Sequence, residues 1–292
     1  VINNKKKPMD NSAELIEKIF KAQDSKGLWK TLSPSDHYYP DYQHYVPNFK
    51  ASLWTLILLA DLQVDKNEVR VRKALTEIKD QFYDADHGIF TLKEDHFPIP
   101  CLNGNIVYLD AYFNKTPDPR CLKALDFFAQ YQRFDDGCYE EPKNKYCANT
   151  SCYGKHSCYW GIVKLLKGIS FVPTKFRSQN VEVLKQKCVD FILRHEVCFS
   201  SHHPERIMIE KLDLLTFPNM YKSDFLEILW LLKREKVHSE AMDKALRLLL
   251  SKQQHNGSWQ LEREINNMVV SIGKKNTPNA FITHRALEVI HE

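Results

Sequence analysis

An all-α fold of helical hairpins, with outer and inner helices alternating, is the prediction for this 292-residue chain. Three observations carry it. A glycine turn recurs along the sequence. The helical segments flanking the turns are of two kinds, one amphipathic and one apolar on more than one face. No stretch shows a good period-2 pattern of the kind a half-buried strand presents.

The turns read AQDSKGLW (22–29), FYDADHGIF (82–90), QYQRFDDGCY (130–139) and SKQQHNGSW (251–259). Each is a polar stretch, then Gly27, Gly88, Gly137 or Gly257, then one residue and an aromatic. Glycine takes the left-handed conformation that ends a helix. An aromatic such as Trp29 or Trp259 then folds back over the helix end, and Gln23, Gln132 and Gln253 are placed to bond backbone groups left unpaired there. The long interval before Gly257 leaves room for a degenerate copy at 195–217, in which the glycine is lost.

In chain order, the polar residues 1–10, with Lys5-Lys6-Lys7 ending at Pro8, read as a disordered tail, and 11–292 as one domain. Amphipathic segments at 11–23, 65–82, 118–132, 180–195 and 238–254 read as outer helices. Their apolar residues recur at three and four, as in Leu122, Leu125, Phe128 and Ala129. Ser12 and Asp118 suit N-caps, and Pro119 a first turn. Between them, 50–62, 101–113, 157–169, 221–234 and 280–292 read as the buried inner layer.

Composition excludes several classes. The net charge is +4, with basic residues scattered among acidic ones, so no nucleic-acid surface is indicated. The longest apolar run, 53–62, is broken by Thr55 and Asp61 and is too short to span a membrane. No secretory segment follows the start, so the cysteines are expected to be reduced thiols or metal ligands in the cytoplasm.

The loop 137–158 concentrates the chemistry. It holds Cys138, Cys147, Cys152, His156 and Cys158. Four thiols and an imidazole in so polar a stretch suit one zinc ion, whose binding would supply the ordering that burial cannot. The alternatives are a disulfide pair or thiols with no ligand role. Cys121, Cys188 and Cys198 fall on outer-helix patterns and read as core, and His202-His203 as a solvated loop.

These turns on paired helices resemble the prenyltransferase and squalene-cyclase repeat. Cys101-Leu102-Asn103-Gly104-Asn105, Asp118-Pro119-Arg120 and the stretch from Cys138 to Trp160 are similar to small prokaryotic proteins of that superfamily. The resemblance implies an α/α barrel (toroid) of about five to six helical hairpins. The five hairpins counted are fewer than a closed six-hairpin ring needs, which would leave an edge for a partner subunit. The acid motif of the cyclases is not matched: Asp84-Ala85-Asp86-His87 lacks its last aspartate and sits in a turn.

Protein prenyltransferases hold zinc with an Asp-x-Cys pair and a later histidine. By that resemblance His156 stands in the Asp position, Cys158 in the Cys position, and His284 is the third candidate, with an ordinary helix histidine as the alternative. Cys138, Cys147 and Cys152 have no counterpart there and suggest a closed, structural site. The resemblance also implies an apolar cavity lined near the inner-helix entrances by Trp54, Cys101, Tyr108, Tyr159, Trp160, Tyr221, Phe281 and His284; ordinary core packing is the alternative. Lys50, Lys222 and Arg285 lie near inner-helix ends without forming a cluster. Two functions are therefore expected: a zinc-dependent enzyme or binder of an isoprenoid-like apolar substrate, or a non-catalytic scaffold with a structural zinc.

Overall fold

The computed structural model describes residues 12–45, 49–92, 98–138 and 150–291. The expected tail at 1–10 and Cys147 lie outside the described residues. Each of the ten helical segments read from the sequence is helical here. The amphipathic set is α1 (Ser12–Lys21), α3 (Arg72–Phe82), α5 (Pro119–Tyr131), α8 (Gln179–Arg194) and α10 (Asp243–Ser251). The other set is α2 (Ser52–Asp61), α4 (Pro100–Phe113), α7 (Tyr159–Phe171) and α9 (Phe225–Arg234), buried on nearly every side, and α11 (Ala280–His291), buried on one face. A short α6 (Thr150–Tyr153) precedes α7. Among the described residues no helix is long and apolar enough to cross a membrane.

The termini follow local chemistry. Asp118 accepts the Arg120 amide at 2.9 Å with Pro119 in the first turn of α5, and Ser178 accepts the Val181 amide at 3.2 Å at the start of α8. Gly27, Gly88, Gly137 and Gly257 all have positive φ, at 76°, 68°, 95° and 81°. In the degenerate copy Val197 takes φ 73° instead. That is a strained conformation for a β-branched residue.

Two turns share one construction. The Trp29 indole donates to the Ile19 carbonyl at 2.8 Å, and the Trp259 indole to the Leu249 carbonyl at 2.8 Å, so each ring covers the end of the helix before it. The Gln23 and Gln253 amides donate to the Gly27 and Gly257 carbonyls at 3.0 and 3.2 Å. Gln132 differs, donating to the Arg133 carbonyl at 2.7 Å.

At three of the turns a polar side chain at the start of the following buried helix completes the unit. Ser52 Oγ accepts the Trp29 amide at 3.0 Å and donates to the Trp29 carbonyl at 3.1 Å. Asn103 does the same for Phe90, both bonds at 2.8 Å, and Thr283 does so for Trp259 at 2.9 and 3.5 Å.

One short strand pair accompanies the helices: β1 (Tyr83–Asp84) and β2 (Ile89–Phe90) pair antiparallel around the Gly88 turn. Two residues per strand are too few to register as a period-2 pattern.

The buried helices pack in series, α2 on α4, α4 on α7, α7 on α9 and α9 on α11, with the amphipathic helices against their flanks. The α4–α7 contact is the most extensive. Gly104 and Gly168 permit it: a Cβ at 104 would collide with the Lys164 carbonyl, and one at 168 would lie 2.8 Å from the Gly104 carbonyl oxygen.

Candidate functional site

The buried helices are less apolar than their composition suggests. Lys164 and Lys167 on α7, Glu227 on α9 and Asp110 on α4 are fully buried, and Asp61 on α2 and Arg285 on α11 nearly so. A buried charge must be paired and hydrogen-bonded, and these are. Lys164 Nζ donates to Glu227 Oε2 at 2.7 Å and to the Asn219 carbonyl at 3.2 Å. Lys167 Nζ donates to Glu227 Oε1 at 2.9 Å and to Asp61 Oδ1 at 3.1 Å. Tyr108 donates to the same Asp61 oxygen at 3.0 Å, and Arg285 Nη1 to Asn219 Oδ1 at 2.8 Å. Where the helices converge there is thus an ionic network instead of an apolar lining.

Burial lowers Lys164 to about 8, with Glu227 opposing the shift. Burial also resists ionisation of Glu227, but Lys164 and Lys167 outweigh it and hold the carboxyl at about 2. Asp224, which caps α9 by accepting the Glu227 amide at 2.8 Å, is raised to about 6 by burial.

Asp61 and Arg285 form the inner wall of a cavity of about 920 Å³. It lies at the C-terminal ends of α2, α4, α7 and α9 and against α11 from Phe281 to Glu288, so of the entrances where the pocket was expected it meets only that of α11. Tyr108, Tyr112, Phe171, Phe217, Trp230 and Phe281 wall it with aromatic surface. Its rim carries Lys66, Lys233, Arg234, Lys236, His238 and His284, against two acidic residues, Asp65 and Glu288. Arg234 stacks on Phe171, its guanidinium carbon 3.9 Å from the ring centroid, and Arg285 lies 4.9 Å from that of Trp230. His284 faces Glu288 at 3.4 Å. Of the expected lining, Tyr108, Phe281 and His284 are here.

The rest of the expected set is elsewhere. Trp54 and Tyr221 belong to an aromatic cluster with Tyr45 and Phe49, with centroid separations of 5.0–6.2 Å. Tyr159 and Trp160 border a second cavity, of about 650 Å³, at the start of α7.

The cysteine loop is divided. Burial, and then Cys158 and Cys152, push the Cys101 thiol far up. Burial and Cys158 push Cys152 up to about 12, and burial raises Cys158. Burial thus favours the neutral thiol at Cys101 on α4, Cys152 on α6 and Cys158 before α7. Cys138 is exposed, and Cys121, Cys188 and Cys198 are buried, as expected of core cysteines. His156 lies with its Nδ1 3.5 Å from Asp136 Oδ1 and borders the same cavity as Cys158. The same carboxylate faces His202 Nε2 at 3.4 Å and His195 Nε2 at 3.9 Å, and accepts from Ser201 Oγ at 2.7 Å. Burial works against ionisation of Asp136, but Ser201 and the three imidazoles hold its pKa below the usual value. Burial depresses His195 in spite of Asp136. Among the described residues no three metal-ligating side chains form a ready-made metal site.

No family model and no curated protein matches the chain.

The residues missed at the level of sequence had a signal. Lys164 and Lys167 stand three apart in a helix apolar on all other faces, and a charge with no solvent face must find a partner inside. Arg285 was read only as a helix-end residue, yet it is buried against Asn219 and two rings. Asp136 and His202 lie in turns distant in sequence, and only folding brings them together.

Proposed function

We propose that the protein binds an amphipathic anion, an apolar chain with an acidic head of the prenyl diphosphate kind, in the 920 Å³ cavity. The observation that carries this is the pairing of an aromatic wall with a basic rim. The volume falls in the range of small-molecule sites, which combine apolar walls with a few polar groups that fix orientation. Lys233, Lys236 and His238 have no carboxylate partner among the described residues and are available to an anionic head. In this reading the alternating helices are hairpins of the α/α toroid that the repeats resemble, and the shared turn construction supports that arrangement.

Binding is favoured over prenyl transfer by the layout of α7. Tyr159 borders the histidine-rich cavity and Phe171 the aromatic one. Twelve residues of helix separate them by about 18 Å. A metal-activated thiol at the α7 entrance would stand far from a head group held at the basic rim.

Fluorescence titration tests the proposal, because Trp230 lies in the cavity wall. Farnesyl diphosphate should quench saturably in the wild type and much less in Trp230→Phe. Farnesol and inorganic diphosphate should each bind more weakly. Lys233→Ala should weaken binding by about fivefold, equivalent to roughly 1 kcal/mol. No saturable response to the diphosphate, or equal affinity for farnesol, would overturn it.

A further inference from the structure

Four groups at the start of α7 remain without a role: Asp136, His156, His195 and His202. They come from four places in the chain. Asp136 follows α5 in the Gly137 turn, His156 follows α6, His195 ends α8, and His202 lies in the loop beyond it. We propose that Asp136, His156, His195 and His202 form a binding site for one divalent transition metal of the zinc type.

Geometry is the first argument. The three imidazole nitrogens lie 3.4, 3.5 and 3.9 Å from oxygens of one carboxylate. Donor atoms about 2.0 Å from a tetrahedral zinc are roughly 3.3 Å from one another. Two of the three separations are therefore close to those of ligands sharing an ion, and the third is about half an ångström long. The His156 and His202 rings lie with centroids 6.3 Å apart. Both are largely exposed, with side-chain exposures of 63% and 56%, which leaves their side chains room to adjust.

His195 is the second argument, independent of the first. It is only 3% exposed, and neither ring nitrogen has a hydrogen-bond partner. A buried polar group left unpaired costs about 1–3 kcal/mol. Its Nε2 points at Asp136 Oδ2 across the wall of the 650 Å³ cavity. Coordination would satisfy that nitrogen.

The surroundings are built to hold these groups. Ser201 Oγ anchors Asp136 Oδ2, as an outer partner orients a ligating carboxylate. Asp136 and His156 bridge antiparallel, with the Gly137 amide donating to the Lys155 carbonyl at 2.9 Å. Any side chain at Gly137 would crowd His202, whose Nε2 would lie 3.2 Å from the added Cβ. Imidazole and carboxylate donors suit zinc and its neighbours, whereas a thiolate set would suit softer binding. The site thus takes His156 from the ligand set expected from sequence and leaves Cys152 and Cys158 out.

The test uses the full chain, stripped with a chelator and titrated with cobalt(II) alone, reading visible absorption and stoichiometry by calorimetry. One equivalent should bind, with ligand-field bands but no thiolate charge-transfer band. His202→Ala, at an exposed position, should weaken binding at least tenfold, and His195→Ala should do so if it folds. Cys158→Ser and Cys152→Ser should bind as the wild type does. Failure to bind one equivalent overturns the proposal. So does a thiolate charge-transfer band that disappears in Cys158→Ser, or unchanged affinity in His202→Ala.

Discussion

Replacing Glu227 by glutamine removes one negative charge from a fully buried position while keeping the side-chain shape. Glu227 accepts from both Lys164 and Lys167. In the variant Lys167 retains Asp61 at 3.1 Å and Lys164 the Asn219 carbonyl at 3.2 Å, while the single glutamine oxygen can accept from only one of the two lysines and carries no charge. Removing one partner of a buried pair costs about 3–5 kcal/mol, because a charge is left uncompensated. That is a third or more of the stability of a typical domain. The urea midpoint followed by circular dichroism should fall by roughly 1–2 M.

The same variant has a pH signature. Lys164 is held at about 8 in the folded protein, below its ordinary value of 10.5. The unfolded chain therefore binds more protons across that window, and stability rises with pH. Without Glu227 the folded value falls further, so the variant carries a larger penalty at pH 7 that is relieved as pH rises toward 10. The gap between variant and wild type should narrow between pH 7 and pH 9.5. A double replacement, Lys164→Met with Glu227→Leu, should cost less than Glu227→Gln alone. A loss below about 1 kcal/mol at pH 7, or a gap independent of pH, would refute the account of the network.

Two further expectations concern the framework. Gly104→Ala places a methyl group against the Lys164 backbone where α4 meets α7, and should destabilise by about 3 kcal/mol or prevent folding, read from thermal melts and soluble yield. Ser52→Ala removes both bonds to the Trp29 backbone and should cost about 1–2 kcal/mol in urea unfolding, with the helical signal unchanged in the absence of denaturant.

The helices were legible because two periodic signals agree. Outer segments such as 180–195 show a clear apolar stripe, and inner ones such as 53–62 lack a polar face, so both kind and order followed from pattern alone. The turns were legible because the positive φ of Gly27 and Gly257 requires glycine. Val197 shows the limit: it holds the same kind of backbone without the residue that announces it. The candidate sites were only partly legible. Density in sequence drew attention to the thiols around Cys152 and Cys158, whereas the grouping of Asp136 with His156, His195 and His202 joins residues separated by a turn or a whole helix. Aromatics at helix entrances suggested one pocket, but Trp54, Tyr159 and Tyr108 belong to three different surroundings, because rotation about each helix decides which neighbours a ring meets.

The polar clasp between a turn aromatic and the next buried helix has a consequence for how such a chain changes over time. Ser52 lies 23 residues beyond Trp29, Asn103 13 beyond Phe90, and Thr283 24 beyond Trp259, yet the clasp is the same. The intervening segment takes no part in it. Once both ends are pinned, lengthening the segment adds only a slowly growing closure entropy. The length of these connections is therefore only weakly tied to the clasp, and change is limited chiefly by the residues within them that pack on the helices, as Tyr45 and Phe49 do on Trp54.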